Sequence, residues 1–274
     1  MKLIINLIWG MNMPKVSVLM GIYNCADTLE EAVDCIINQT FTDWELIMCD
    51  DSSTDNTYEV AKKIAAKDSR IVLLKNEKNL TLAPTLNKCA GFAKGKYFAR
   101  MDGDDICALD RLEKEIKIMD SQPEYALVSC WMNLYDSSGI YRVVPYPKIP
   151  TSTDFIKRSP FCHAGCMMRK SAFESVGGYS ESADYKRVED YDLWARMYKE
   201  GFIGFNIQEP LYSMRDDRNA LSRRTVDNRK NEIRVKKNIM KWFELPVSNY
   251  IYVLIPVIKL MMPGFVYKLA HKNK

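Results

Sequence analysis

A chain of 274 residues, 47% apolar and 27% charged, is long enough to bury a substantial core and has the proportions of an ordinary globular protein. Its net charge of +4 is too small to argue for a nucleic-acid partner, although Lys and Arg crowd the end of the chain from Arg215 onward, where they suit phosphates or an anionic membrane face. Eight cysteines without a CxxC pair, most of them inside apolar runs, read as a reduced, cytosolic protein, and Cys162 and Cys166 around His163 are a weak zinc pattern.

In chain order, residues 1–13 form an apolar leader without a small-residue cleavage site. VSVLMGI at 16–22 is a short β-branched run, expected as a buried strand. Asp27 with Glu30 reads as a capping box opening the helix of TLEEAVDCIINQ. WELIMCD (44–50) is a second strand, Thr54 or Asp55 is expected to cap NTYEVAKKIAAKD, IVLLK (71–75) is a third strand, and LAPTLNKCAGFAKG is a third helix closed at Gly95. YFARMD (97–102) is a fourth strand. Such alternation predicts right-handed crossovers and a mostly parallel sheet covered on both faces, with ligands bound outside the carboxyl ends of the strands. Asp50, Asp51, Asp102 and Asp104 all fall at those ends.

After residue 105 the rhythm loosens. ALDRLEKEIKIMDSQ is a helix, ALVSCWMNLY a strand and PYPKIPTSTDF a Pro-rich loop. HAGCMMRKSAFESVGGY reads as a strand, a short helix and a Gly-Gly turn, and VEDYDLWARMYKEG as a helix closed by Gly201. The expected division is a nucleotide-binding half at 14–105, an acceptor half at 106–225 and a basic, apolar helical tail at 226–274. The tail carries Pro256, Lys259 and Pro263, so a clean membrane span is not expected, and an interfacial helix and a segment folded back on the domain both remain open.

The triplet Asp102-Gly103-Asp104 after an apolar strand suits a divalent cation: Gly103 permits a tight turn and Asp104 offers a hard oxygen ligand to Mn2+ or Mg2+. Asp51 either accepts hydrogen bonds from a nucleobase or ribose or belongs to an ordinary acidic turn; Tyr23 and Asn24 are its neighbours at the end of the first strand, and Tyr23 either stacks on a base or fills the core. His163 is a metal ligand, a phosphate donor or a structural histidine. Glu189 and Asp190 open a helix, either as acids favoured by its dipole or with a carboxylate acting as general base. Arg215 belongs to an Arg-rich segment, with Arg218, Arg223 and Arg224, suited to close over a leaving diphosphate, and Arg100 is counted with the substrate-binding residues.

PKVSVLMGIYN, ELIMCDDSSTDNT, LNKCAGFAKGKYFARMDGDD, HAGCMMRKSAFESVGGY and VEDYDLWARM, in that order between Pro14 and Arg224, resemble family 2 glycosyltransferases of the GT-A fold. The resemblance implies an α/β GT-A domain with a mostly parallel central sheet, followed by a C-terminal helical tail. It implies inverting transfer of a sugar from a nucleotide-diphosphate sugar, most often UDP-linked. On that reading Tyr23 and Asp51 hold the nucleobase, Asp102 lies near the ribose, Asp104 binds Mn2+ or Mg2+, His163 sits near metal and diphosphate, and Asp190 of the Glu-Asp pair is the base. Thr81 stands where the family usually has Gly. The QxxRW motif and multiple membrane spans of polymerising members are missing, which implies single addition to a surface-glycan or polyprenyl-linked acceptor. The expected location is cytoplasmic, with peripheral contact at the inner membrane face through 245–274. The alternative class is a non-catalytic nucleotide-sugar-binding module.

Overall fold

A computed structural model describes residues 13–216 and 225–261; the leader, Arg218, Arg223, Arg224 and the end of the tail at 262–274 lie outside the described residues. The first half alternates as the sequence predicts: β1 Val16–Ile22, α1 Leu29–Ile37, β2 Trp44–Asp50, α2 Thr57–Ala65, β3 Ile71–Lys75, α3 Leu82–Phe92 and β4 Tyr97–Arg100. These four strands run parallel in the order β3-β2-β1-β4. Val16, Val18, Met20 and Ile22 of β1 join one core with Leu29, Val33 and Ile36 of α1. Leu19 turns to the other side, where Ile47 of β2 and Leu86 of α3 form part of a second core. Both faces of the sheet are therefore apolar, and the strands read as continuous runs rather than alternating ones.

The second half is mixed. It adds β5 Ile106–Cys107, α4 Arg111–Ser121, β6 Tyr125–Asp136, β7 Gly139–Val144, α5 Ser152–Lys157, β8 Met167–Arg169, α6 Lys170–Ser175, α7 Glu189–Lys199 and β9 Ile203–Arg215. β8 runs antiparallel to both β4 and β6, and β6 pairs β9 in parallel, giving the order β3-β2-β1-β4-β8-β6-β9-β5 with β7 beside β6. The tail folds as α8 Val226–Trp242 and α9 Tyr250–Met261, packed on each other and, through α8, on α5 and α7. Among the described residues no helix is long and apolar enough to cross a membrane.

Several local expectations are corrected. Thr28, not Asp27, precedes α1, and no side chain caps it. Asp55 accepts a bond from the Thr57 N–H at 2.9 Å, but Asn56 is the residue flanking α2. A capping box does form at Thr151 and Asp154, ahead of α5. α3 ends at Phe92, before Gly95, whose small size answers a different need: a Cβ there would lie 2.6 Å from the Ser17 backbone nitrogen. β9 is a strand to which the sequence reading assigned no element. Pro210 sits opposite Trp131, where the register with β6 shifts, as a residue without an N–H requires.

Beneath β6, Arg111 and Glu115 of α4 are both fully buried. Arg111 Nη1 donates to the carbonyls of Arg100 (2.9 Å) and Ala164 (3.2 Å), whereas neither Glu115 oxygen has a partner among the described residues. Burial pushes the Glu115 carboxyl up from 4.5 to about 8 against the pull of Arg111. A folded pKa above the unfolded one stabilises fully below the unfolded value, and that stabilisation is lost as pH rises through the folded one. Glu115→Gln should therefore reduce the fall in Tm between about pH 5 and pH 8 and melt a few degrees above the wild type at the upper end, the residual slope belonging to the other carboxyls raised by burial, Asp105, Glu189, Asp190 and Asp192. Melting curves across pH check this; an unchanged slope contradicts it.

Candidate functional site

The carboxyl ends of β1, β2 and β4 open onto a cleft of about 660 Å³. Tyr23, Asn24, Asp51, Asp102, Asp104 and Glu189 all line it, so four separate chain segments deliver the expected residues to one place. Arg100, His163, Asp190 and Arg215 do not form its wall.

Asp51, 4% exposed, directly follows β2 with both oxygens engaged. Oδ1 accepts from Asn76 Nδ2 and from the Leu80 N–H, each at 2.8 Å, and Oδ2 from the Thr81 N–H at 2.9 Å. It thus fixes the loop that roofs the cleft as well as facing it. Thr81 takes φ +74°, a region that favours glycine and is strained for a β-branched residue. Asn24 (φ +49°), Ser52 (φ +61°) and Arg187 (φ +69°) also have positive φ, so among the described residues four of the five non-glycine residues of this kind lie on the cleft wall or, for Ser52, next to a residue that does. Asn24 also ties β1 to the turn after β2, its Oδ1 accepting from the Thr54 N–H at 2.8 Å. Tyr23 is 48% exposed, so its ring stands in the cleft and the core-filling alternative is excluded.

Gly103 is not in a positive-φ conformation; it is needed for space, since a Cβ there would meet Cys25 Sγ at 2.9 Å and Ile22 Cγ2 at 3.0 Å. The turn it permits lays Asp102 and Asp104 close over the end of β1. Arg100 lies beneath, fully buried, and its Nη2 donates to Asp102 Oδ1 at 2.5 Å while Nη1 donates to the carbonyls of Leu19 and Met101. Burial works against its charge, and the Asp102 carboxylate outweighs that and raises its pKa. Arg100 therefore positions Asp102 from below rather than lining the cleft. Asp105, 3% exposed, accepts from Tyr212 Oη and from the Arg215 N–H, each at 2.8 Å; burial, then Asp102 and Asp104, push it up to about 8. Arg215 is turned away from the cleft: Nη2 reaches Glu31 Oε2 at 2.7 Å and Nε donates to the Asp104 carbonyl at 3.1 Å.

His163 Nε2 is bonded to Tyr179 Oη at 2.8 Å, and burial, then Arg100, push its pKa well below the usual histidine value, so it is neutral. Glu189 and Asp190 begin α7. Burial raises both carboxyls, and Asp190 raises Glu189 further. The backbone at Tyr191, the Ser159 hydroxyl (donating to Asp190 Oδ2 at 3.1 Å) and Arg100 hold Asp190 partly back. Among the described residues no group of three or more His, Cys, Asp or Glu stands together as a metal centre. Sequence reasoning missed Lys186 and Arg187, exposed cations on the cleft wall; their one signal was their place just ahead of the Glu189-Asp190 pair.

The profile of Glycosyl transferase family 2 matches residues 17–177. The chain is 41% identical over 262 residues to the Bacillus subtilis protein named as glycosyltransferase EpsE, covering 95% of this chain and 94% of that one. It is 30% identical over 194 residues to the Escherichia coli UDP-Glc:alpha-D-GlcNAc-diphosphoundecaprenol beta-1,3-glucosyltransferase WfaP, covering 71% and 74%. The fold resembles that of S. aureus TarS 1–349 in complex with UDP (TM-score 0.68, 16% identity, 95% of this chain and 75% of that one). It also resembles the Pyrobaculum calidifontis mannosyltransferase PcManGT in complex with GDP-Man and Mn2+ (TM-score 0.64, 19% identity, 94% and 76%).

Because a non-glycine residue at positive φ costs roughly 1–3 kcal/mol, Thr81→Gly should raise Tm by a few degrees despite the freer unfolded chain. A lower Tm would show that the Thr81 side chain contributes more than its backbone strain costs.

Proposed function

The chain belongs to glycosyltransferase family 2, and from that premise we propose that it moves a sugar from a UDP-sugar, with inversion, to a hydroxyl of a surface-glycan or lipid-linked acceptor, assisted by Mn2+ or Mg2+. The observation that carries this reading is the convergence of Tyr23, Asp51, Asp102, Asp104 and Glu189 on one cleft. Tyr23 offers a ring face to the base, and the Asp51 end of the cleft offers polar groups to its edge. The carboxylates of Asp102 and Asp104, both on the cleft wall, suit a hard divalent ion that completes its shell with phosphate oxygens, so the donor set fits the metal even without a third protein ligand. Such an ion, when bound, supplies positive charge to the departing nucleoside diphosphate. His163 is left out of that set, because its Nε2 already serves Tyr179.

Asp190 is assigned as the base that takes the proton of the acceptor hydroxyl. It adjoins Glu189, which lines the cleft, and its raised pKa makes it a better proton acceptor than an ordinary aspartate. The names of relatives supply the donor and acceptor classes: a UDP-sugar and a diphosphoundecaprenol-linked acceptor are stated for WfaP, and UDP for TarS.

A lipid-linked acceptor requires access to a membrane surface, and the tail suits an anionic phospholipid one. Ile251, Leu254 and Ile258 form an exposed apolar stripe on α9, continued by Val247 and Tyr250. Lys237 and Lys241 of α8 share a groove with Tyr250, and the chain from residue 245 to its end holds lysines but no acidic residue. Apolar area beside basic charge is the pattern of an interfacial helix.

The test is transfer from UDP-sugars to a lipid-linked acceptor in anionic vesicles with Mn2+. Asp190→Asn should lower kcat by roughly 10²–10⁴. The base acts deprotonated, so kcat/KM should rise with pH through a pKa above the ordinary aspartate value of 3.8, and Ser159→Ala, which removes a bond favouring the charged form, should move that limb to higher pH. Leu254→Asp should depress transfer on vesicles but not hydrolysis of the donor. Full activity in Asp190→Asn, or retention of the anomeric configuration, would overturn the proposed mechanism.

A further inference from the structure

We propose that Lys186 and Arg187 form the anion-binding wall of the cleft, taking phosphate oxygens of the donor's diphosphate, and that Asn231 of α8 positions the loop that carries them. The inference rests on the donor reading above. The cleft wall bears five carboxylates, Asp51, Asp102, Asp104, Glu181 and Glu189, against two cations, Lys186 and Arg187. A diphosphate entering so acidic a wall meets repulsion that one divalent ion offsets only in part, and fixed cations supply the remainder. Arg215, the cation that sequence reasoning assigned to the leaving diphosphate, is already committed to Glu31 and to the Asp104 carbonyl. Among the described residues neither Lys186 nor Arg187 has an ion-pair partner, although Arg187 lies near enough to Glu189 to favour its charged form.

The loop is held from behind in a way that exposed cations seldom enjoy. Asn231, 6% exposed, donates through Nδ2 to the carbonyls of Ala183 (2.9 Å) and Lys186 (3.1 Å), spanning the short helical turn Ala183–Tyr185. Arg234, one turn further along α8, donates to the Asp184 carbonyl at 2.9 Å and pairs with its carboxylate at 3.0 Å. On the other side Asn87 of α3 donates to the Tyr179 carbonyl and to Glu181, both at 2.9 Å. The backbone of Arg187 is thereby kept at φ +69°, a conformation that persists only when its surroundings impose it. The loop lies beyond residues 17–177, the stretch shared with the family profile, and its anchor lies on the tail. The tail thus acts on the donor cleft as well as on the surface it presents outward. The guanidinium offers a planar fork matched to two phosphate oxygens, and the ammonium a point charge beside it.

The same anion chemistry serves a carboxylate on an acidic sugar, so the experiment separates the two sources. Isothermal titration with Mn2+ compares uridine, UDP, UDP-glucose and UDP-glucuronate on the wild type, on Lys186→Ala/Arg187→Ala and on Asn231→Ala. The double variant should lose roughly tenfold or more in affinity for UDP and keep its affinity for uridine. Asn231→Ala should narrow the preference for UDP over uridine and raise the donor KM with kcat retained. Unchanged UDP binding in the double variant overturns the inference, and so does a loss confined to UDP-glucuronate, which would assign the cations to a sugar carboxylate. An equal loss for uridine would mark the loop as merely structural. A wild type that binds no UDP would instead overturn the donor reading, and this inference with it.

Discussion

Arg100 is fully buried at the end of β4, and a guanidinium taken out of water costs several kcal/mol unless its donors and charge are matched. The next two residues supply part of the match, the Met101 carbonyl and the Asp102 carboxylate, and the Leu19 carbonyl of the adjacent β1 supplies more, leaving only Nε without a hydrogen-bond partner among the described residues. The demand runs both ways. The cation fixes where β4 ends relative to β1, and it fixes which oxygen of Asp102 faces downward. Arg111 reinforces the arrangement from α4 by bonding the Arg100 carbonyl. Burial is the larger influence on both Asp190 and His163, but the same charge draws Asp190 back toward its ionised form and helps to keep His163 neutral, so one buried group bears on the protonation of others around the cleft.

Around that fixed point the site is built by opposing preferences. Burial pushes Asp105, Glu189 and Asp190 toward their neutral forms, whereas Asp102 has a guanidinium as partner. Carboxylates of different character therefore sit near one another, as a base and a cation-binding pair require. Asn24, Ser52, Thr81 and Arg187 hold strained backbone around the rim, and each is held by bonds from a neighbouring segment or lies beside one that is. Strain concentrated at a cleft is a sign that the rim's shape matters more than its local stability.

Much of this was legible in the chain. β1, β2 and β3 fall where their apolar runs end; β1 and β2, buried almost throughout, have no polar alternation to blur their limits, and β3 is half-buried at the sheet edge. The acids that follow β2 and β4 could be assigned to one cleft because a parallel sheet gathers its carboxyl ends along one edge. What could not be read depended on distant partners. Asp51 looked like a ligand for a base and proves equally to be the anchor of residues 76–81. Arg215 looked available for phosphate, and Glu31 of α1, far away in sequence, takes it. Lys186 and Arg187 carried no motif at all; they matter because Asn231 holds their loop, a contact spanning some forty-five residues that no local pattern announces. Helix caps failed for the opposite reason: the right residue types were present at α1 and α2, but the chain entered those helices one residue later than the pattern placed it.

The most direct test of Arg100's governing role is UDP titration of Arg100→Met with Mn2+, at a temperature well below the variant's own melting transition. Losing the bonds that the guanidinium makes to Asp102 and to the Leu19 and Met101 carbonyls should cost roughly 1–3 kcal/mol of stability and, in the molecules that remain folded, more than roughly tenfold in UDP affinity, because the carboxylate is no longer held at the cleft floor. An Arg100→Met protein that folds and binds UDP as the wild type does would contradict the account.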